Sequence, residues 1–109
     1  MYIFIAGPMS GYENFNYEEF NETEAFLLNE GYKVINPAGN YGGDQSLPWK
    51  AYLAMTVLQI RYQADAVVLL DGWEKSKGAR REVKEAKNKG IPINTLASLR
   101  DKMFKFPNA

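Results

Sequence analysis

The 109-residue chain contains no cysteine and no histidine. The lack of cysteine excludes disulfide bonds and thiolate metal sites, and the lack of histidine excludes a Ser-His-Asp triad and a histidine general base. A charge excess of one sign is also missing, because 13 Lys and Arg balance 13 Asp and Glu. A dedicated double-stranded DNA binder normally carries a large positive excess, so we expect no such partner. Acid–base or nucleophilic chemistry would therefore rest on carboxylates, Tyr, Lys, Ser or Thr.

Long apolar runs are absent as well. No stretch approaches the roughly 20 apolar residues that a membrane-spanning helix needs, and the N-terminal segment lacks the basic region of a signal peptide. We therefore expect a cytoplasmic protein with no membrane partner. Hydrophobic residues make up 46% of the chain, which is enough for one core, so we expect a single domain over residues 1–109.

Four short apolar runs alternate with helical patterns. The runs that predict strands are residues 2–6, 32–35, 66–70 and 91–93. The first predicted helix begins at an N-cap Asn16, with Glu19 as its capping-box partner. The other predicted helices cover residues 48–63, 78–89 and 96–106. Strands separated by helices of this length need right-handed crossovers. The pattern therefore predicts an α/β, flavodoxin-like (Rossmann-like) three-layer domain with a parallel sheet in the order 2-1-3-4.

Two loops of this fold are the expected ligand site. Ligands bind beyond the carboxyl ends of parallel strands where the strand order reverses, here between the first and third strands. The loop Gly7-Pro8-Met9-Ser10-Gly11 would let backbone N–H groups approach an anion or a sugar, although a plain turn explains the same glycines. Tyr12 and Trp73 lie in the two loops, where either base stacking or ordinary packing would explain an aromatic ring.

The second loop, Asp71-Gly72-Trp73-Glu74-Lys75-Ser76-Lys77-Gly78, leads into the third predicted helix. Ser76, Gly78 and the free N–H groups of a helix N-terminus are typical of phosphate binding. Residues 74–89 carry a net charge of +4, and Lys75 and Lys77 lie at the expected ligand end. A solvated helix face is the simpler explanation for the three more distant lysines, Lys84, Lys87 and Lys89.

Glu82 is the candidate catalytic residue. The small apolar positions of the third predicted helix that should face the sheet are Ala79, Val83 and Ala86. Glu82 lies three residues after the first and four before the last, so it shares that face. A carboxylate there is costly unless it is paired or used in chemistry. The alternative is a boundary residue that pairs with Arg80, Arg81 or a Tyr.

Five motifs extend over nearly the whole chain up to about Ile93. They are YIFIAGPMSG at residues 2–11, Phe15-Asn16, Asn36-Pro37, Ala64-Asp65 and GWEKSKGAR at residues 72–80. Together they resemble a small family common in bacteriophages that belongs with the nucleoside 2-deoxyribosyltransferase-like proteins. The resemblance implies a Glu nucleophile on the third helix, at the position of Glu82, which attacks the anomeric carbon and releases the base.

The resemblance also implies a ligand class. In the deoxynucleoside-monophosphate hydrolases of this superfamily, a Ser six residues before the Glu contacts the 5′-phosphate, and Ser76 has that spacing. The nucleoside transferases typically have Asp there, so Ser76 favours a phosphorylated ligand. The superfamily usually carries an Asp on the second helix for proton transfer, but Val57 stands at that position here. Asp71, Asp44 or water would then supply the proton, or the protein binds without efficient turnover.

We therefore expect a protein that binds a deoxynucleoside 5′-monophosphate or related nucleotide and cleaves or transfers at the N-glycosidic bond, with no metal and no organic cofactor. The expected partners are a small-molecule nucleotide or nucleoside and further copies of the chain in a homodimer or higher homo-oligomer, since the superfamily tends to complete its site across such an interface. The alternatives are a nucleotide-sequestering module without turnover and an interaction protein with an unused pocket. The expected substrate contacts are Gly7, Pro8, Met9, Ser10, Gly11, Tyr12, Asp71, Gly72, Trp73, Ser76 and Gly78.

Overall fold

The computed structural model describes residues 1–107 and contains one four-stranded parallel sheet. Its strands are β1 Tyr2–Ala6, β2 Lys33–Ile35, β3 Ala66–Leu69 and β4 Ile93–Thr95. The order across the sheet is β2-β1-β3-β4, and Ile3 of β1 lies between Val34 and Ala66 of its two neighbours. The α/β class and the predicted order 2-1-3-4 are confirmed, and the arrangement is consistent with a flavodoxin-like fold.

Helices cover both faces of the sheet. They are α1 Tyr17–Asn29, α2 Trp49–Tyr62, α3 Lys77–Lys89 and α4 Leu96–Arg100. Side chains of α1 and α4 share a core with Ile3 and Ile5, whereas those of α2 and α3 share a core with Phe4 and Val67. This division follows from the alternation of side chains along a strand, and it explains why β1 and β3 are continuously apolar. Within residues 1–107, none of the helices combines the length and the apolarity needed to cross a membrane.

Two elements near the C-terminal end differ from the prediction. The last strand begins at Ile93 rather than at residue 91, because Pro92 has no N–H and joins the ladder only through its carbonyl oxygen, which accepts from Val67. The last helix stops at Arg100 instead of continuing to residue 106. Beyond it the chain turns back, and the Tyr32 hydroxyl donates to the carbonyl oxygen of the buried Phe106 at 3.0 Å.

The start of α1 also differs from the predicted capping box. Asn14, Phe15 and Asn16 have positive φ angles of 49°, 53° and 60°, a left-handed turn that non-glycine residues rarely adopt. The side chain of Asn16 makes no capping bond to α1. Its Nδ2 donates instead to the carbonyl oxygen of Pro8 at 3.0 Å. The capping prediction was therefore wrong, because Asn16 ties the start of α1 to the loop that follows β1.

Candidate functional site

A cleft opens at the carboxyl ends of β1 and β3. Its inner part, of about 70 Å³, is lined by Gly7, Met9, Ser10, Phe15, Tyr17, Phe20, Pro37, Trp49, Tyr52, Leu53, Thr56, Ser76, Gly78, Ala79 and Glu82. Its outer part, of about 140 Å³, is lined by Pro8, Ser10, Tyr12, Trp49, Gly72, Lys75, Ser76, Lys77 and Gly78. Ser10, Trp49, Ser76 and Gly78 line both parts, so the two form one continuous cleft.

The structure brings most of the predicted site residues together. Those that line the cleft are Gly7, Pro8, Met9, Ser10, Tyr12, Gly72, Ser76, Gly78 and Glu82. Gly11, Asp71 and Trp73 do not line it. Asp71 is exposed, and the Trp73 side chain packs against the core between the sheet and the helices α2 and α3. Ordinary packing, which was one of the two explanations for Trp73, therefore accounts for this ring.

One wall of the cleft comes from α2, which the sequence did not single out. The α2 residues in this wall are Trp49, Tyr52, Leu53 and Thr56, and their spacing of three and four residues places them on one side of a helix. The periodicity that could have revealed this wall is obscured because α2 is apolar on its other sides as well. The opposite wall includes Phe15, which the left-handed turn before α1 presents to the cleft.

Glu82 projects from α3 into the inner part of the cleft and is 8% exposed. Burial disfavours the charged carboxylate and raises the pKa of Glu82 to about 8. The side-chain hydroxyl of Thr56 favours the charged form, but it offsets only part of this shift. Glu82 therefore holds its proton at neutral pH in the ligand-free protein.

The cations near Glu82 are engaged elsewhere. Arg81 donates to Glu85 at 3.1 Å, and Arg61 from α2 donates to both oxygens of the same carboxylate at 3.1 and 3.2 Å. These hydrogen bonds lower the pKa of Glu85, and the bond from Arg61 has the largest effect. Arg80 donates to the carbonyl oxygen of Glu74. The salt bridges within residues 1–107 involve Glu85 and leave Glu82 without one, so the alternative of a boundary residue paired with Arg80 or Arg81 was wrong.

The outer part of the cleft is built around the N-terminus of α3. The Ser76 side-chain oxygen caps this helix by accepting from the N–H of Ala79 at 3.1 Å. The N–H groups of Lys77 and Gly78 belong to the first turn of α3, where an α-helix provides no carbonyl oxygen to accept from them. The Lys77 ammonium lies 5.3 Å from the centroid of the Trp49 ring. Together with Lys75, these groups make the outer cleft electropositive.

The remaining lysines of α3 point away from the cleft. Lys84 and Lys87 are exposed, as a solvated face requires. Lys89 is exposed as well, so the solvated face holds for all three lysines. The Lys89 ammonium in addition donates to carbonyl oxygens at the end of α2, those of Ile60 at 3.0 Å and Ala64 at 2.6 Å.

The position expected for a second-helix acid lies outside the cleft. Val57 lines a groove on the outer side of α2, whereas Thr56, one residue earlier, is 4% exposed and lies beside Glu82. Asp44 and Asp71, the other acids considered, do not line the cleft either. The Asp44 carboxylate accepts from the N–H and hydroxyl of Ser46 at 2.8 and 2.7 Å, which lowers its pKa and keeps it ionised.

Tyr17 is a polar side chain of the inner cleft that sequence reasoning missed. It is 9% exposed and lines the cleft from the first turn of α1. Burial, followed by the neighbouring Tyr52 and Asp44, raises the pKa of Tyr17. Its hydroxyl therefore stays protonated over the physiological range and can donate a hydrogen bond to a ligand.

Comparison with known proteins gives a family. The profile described as "Domain of unknown function (DUF4406)" matches residues 1–95, which include all four strands and every residue that lines the cleft. No curated protein matches the chain. Because the match covers most of the sequence, the chain belongs to the family described as Domain of unknown function (DUF4406).

Proposed function

We propose that the protein binds a deoxynucleoside 5′-monophosphate or a related nucleotide and cleaves or transfers its N-glycosidic bond, with Glu82 as the nucleophile. The observation that carries this proposal is the presence of a buried carboxyl and an electropositive helix N-terminus in one cleft. Ser76 and Glu82 are separated by about 9 Å of helix rise. A nucleoside monophosphate has the same layout, with an anion at one end and the reacting anomeric carbon several ångströms away.

Each part of the cleft suits one part of such a ligand. The phosphate would be held by Ser76, Lys75, Lys77 and the N–H groups of the first turn of α3. Aromatic rings offer faces for a base, and those that line the cleft are Tyr12, Phe15, Tyr17, Phe20, Trp49 and Tyr52. The loop after β1, which contains Gly7 and Ser10, would approach the sugar.

The proposed reaction begins with attack of the Glu82 carboxylate on the anomeric carbon. As the new C–O bond forms, the C–N bond breaks and its electron pair leaves with the base nitrogen. The Tyr17 hydroxyl can hydrogen-bond the departing base, and water can supply its proton. Water or the nitrogen of another base then attacks the glycosyl ester, which completes hydrolysis or transfer and restores the Glu82 carboxylate.

The protonation state of Glu82 gives this mechanism a pH signature. Only the ionised carboxylate is a nucleophile, and with a pKa of about 8 roughly one molecule in ten carries it at pH 7. We therefore expect kcat/KM to rise about tenfold per pH unit at acidic pH and to level off above the pKa of Glu82. A rate that falls above this pKa would make Glu82 a proton donor instead.

A second candidate function is nucleotide binding without turnover. Two observations favour it: Glu82 is neutral at pH 7, and it is the one carboxyl that lines the cleft among residues 1–107. Glycoside hydrolases generally use two carboxyl groups. A neutral Glu82 would act as a hydrogen-bond donor to the base or the sugar.

Incubation with each deoxynucleoside 5′-monophosphate, followed by chromatography for free base, tests both candidates. Glu82→Gln should stop base release while monophosphate binding stays within about tenfold. Glu85→Gln is the matched control, because Glu85 lies one turn away on α3 with the same 8% exposure but outside the cleft. Undiminished release of free base by Glu82→Gln would exclude Glu82 as the nucleophile. Binding without release would favour the second candidate, and no binding would exclude both.

A further inference from the structure

The exposed side of α3 carries charge of one sign only. Within Lys77–Lys89 the exposed residues are Lys77, Arg80, Lys84, Lys87, Asn88 and Lys89. Both acidic residues of this helix, Glu82 and Glu85, are buried. Like charges that lie three or four residues apart on a helix repel each other and destabilise it. An anionic partner would remove this repulsion, so the exposed side of α3 is suited to bind one.

Four of these cations form a row that begins at the cleft. This cationic row consists of Lys77, Arg80, Lys84 and Lys87, whose spacing of three, four and three residues places them on one side of the helix. Lys77 lines the outer cleft, and the row extends from it along α3 for about 15 Å. The salt bridges within residues 1–107 use Arg61 and Arg81, so in this part of the chain no carboxylate is paired with a cation of the row.

The zero net charge of the chain does not reveal this row, because the charges are separated across the sheet. Residues 1–32 contain six Glu and no Lys or Arg. Four of these Glu belong to α1, which covers the side of the sheet opposite to α3. Residues 74–89 carry a net charge of +4. A polyanion would therefore be attracted to the α3 side of the protein and repelled by the α1 side.

We propose that the cationic row binds the backbone of a single-stranded DNA whose 3′-terminal nucleotide occupies the cleft. The phosphate in the outer cleft would be the 5′-phosphate of that nucleotide, and the phosphates that precede it in the strand would lie along Arg80, Lys84 and Lys87. Successive cations of the row are separated by about 4.5–6 Å of helix rise, which long side chains can match to consecutive phosphates of one strand. The occupant of the cleft rests on the proposed function and extends its substrate class from a free monophosphate to the end of a polynucleotide.

The surroundings of the row favour a single strand over a duplex. The rings of Tyr12 and Trp49 line the outer cleft and are 47% and 40% exposed. Exposed aromatic rings beside a cationic track are typical of proteins that bind single strands, because unpaired bases stack on them. A base in a duplex would first have to leave its partner before it could enter the cleft.

The same surroundings make a membrane surface a poorer partner. Helices that bind membranes combine cations with apolar side chains that enter the lipid. The apolar residues of α3, Ala79, Val83 and Ala86, are all buried against the rest of the protein. Within Lys77–Lys89 the exposed side therefore offers charge without an apolar anchor.

Fluorescence anisotropy tests the row with an oligothymidylate of about eight nucleotides, labelled at its 5′ end. Four phosphate contacts predict that the logarithm of the affinity falls with the logarithm of the salt concentration with a slope of about −2.8. Lys84→Gln combined with Lys87→Gln should halve this slope and weaken binding on the order of fiftyfold at about 50 mM salt. Lys102→Gln combined with Lys105→Gln is the matched control, because both lysines are exposed beyond α4, on the other side of the sheet. No binding by the wild type at about 1 mM, or equal losses in the two double variants, would overturn the proposal.

Moving the label tests which end of the strand enters the cleft. A label at the 3′ end blocks the terminal nucleotide, so this strand should bind at least about tenfold more weakly than the 5′-labelled one. Equal affinities of the two strands would overturn the terminal nucleotide as the occupant of the cleft.

The free monophosphate of the same base separates this proposal from the proposed function. If the monophosphate binds but the longer strand binds no more tightly, the row is overturned while the proposed function stands. If the strand binds through Lys84 and Lys87 but the monophosphate of no base binds, the proposed function fails while the row stands. Binding of phosphatidylserine vesicles through these two lysines, without binding of the oligonucleotide, would assign the row to a lipid surface and overturn the proposal.

Discussion

Thr56 and Glu82 lie side by side in the inner cleft, one contributed by α2 and the other by α3. Both side chains are buried, and the Thr56 hydroxyl donates its proton to the carbonyl oxygen of Leu53 at 3.1 Å. Among the influences on Glu82, burial raises its pKa and Thr56 is the neighbour that lowers it. The protonation state of Glu82 is therefore set mainly by its burial and is adjusted by one polar neighbour on the facing helix.

Removing the Thr56 hydroxyl should raise the pKa of Glu82 above about 8. Thr56→Val keeps the shape of the side chain and removes only the oxygen that favours the charged carboxylate. Carboxyl-detected NMR titration measures the change, and the absence of histidine means that no other side chain normally titrates in this range. Thr23→Val is the matched control, because Thr23 is a buried threonine of α1 that bonds to Glu19. An unchanged or lowered pKa in Thr56→Val would contradict the contact.

The raised pKa of Glu82 should make the protein less stable as the pH increases. The unfolded chain releases this proton near pH 4.5, whereas the folded protein retains it up to about pH 8. Between these values the folded state binds one more proton, so the free energy of unfolding should fall by about 1.4 kcal/mol per pH unit. Urea unfolding of Glu82→Gln should lack this slope, while Glu85→Gln should keep it. A wild type whose stability is flat over this range would refute the burial of a protonated Glu82.

The sequence predicted the sheet and the place of Glu82 because both depend on local periodicity. Continuous apolar runs identified β1 and β3, and the 3.6-residue period put Glu82 on the inner face of α3, where it is 8% exposed. Asn16 was misread because its preference for N-caps was overridden by a tertiary bond to Pro8. The sequence could not decide between base stacking and ordinary packing for Trp73, because it does not show which side of a turn faces the cleft.

The sequence could not predict that α2 forms a wall of the cleft, for a different reason. A helix with ten apolar residues among 14 gives no single preferred face, so Thr56 could not be distinguished from Val57 as the residue beside Glu82. The partner of Arg81 could have been predicted from the sequence, because residues four apart on an α-helix are neighbours and Arg81 donates to Glu85. The contact of Arg61 with the same carboxylate could not, because it joins two different helices.

Ser76→Asp should separate recognition of a phosphate from the structural role of the helix cap. Aspartate is as good an N-cap as serine, so α3 should keep its start, but a second negative charge would oppose a bound phosphate. Two charge-assisted hydrogen bonds would make the wild type bind a monophosphate about a hundredfold or more tighter than the nucleoside. Calorimetry should show that preference lost in Ser76→Asp, with nucleoside binding unchanged. Equal affinities of the wild type for both ligands would remove the phosphate from the proposal.

The last prediction concerns the missing second carboxyl. Thr56→Asp places a carboxyl beside Glu82, where two acidic groups would share a proton and one pKa would rise strongly. A positioned acid contributes roughly 10²–10⁴-fold to proton transfer, so Thr56→Asp should raise base release by that order if leaving-group protonation limits the reaction. Val57→Asp is the control, because Val57 lines the outer groove and not the cleft.

The two variants distinguish an acid that acts from position 56 from one that acts from position 57. If the acid acts from position 56, chromatography should show faster base release for Thr56→Asp and no gain for Val57→Asp. A gain confined to Val57→Asp would mean that α2 turns a different face toward the substrate than it does in this structure. A folded Thr56→Asp that still binds the monophosphate but gains nothing would show that protonation of the base is not the limiting step, because the added carboxyl would lie within reach of the reacting bond.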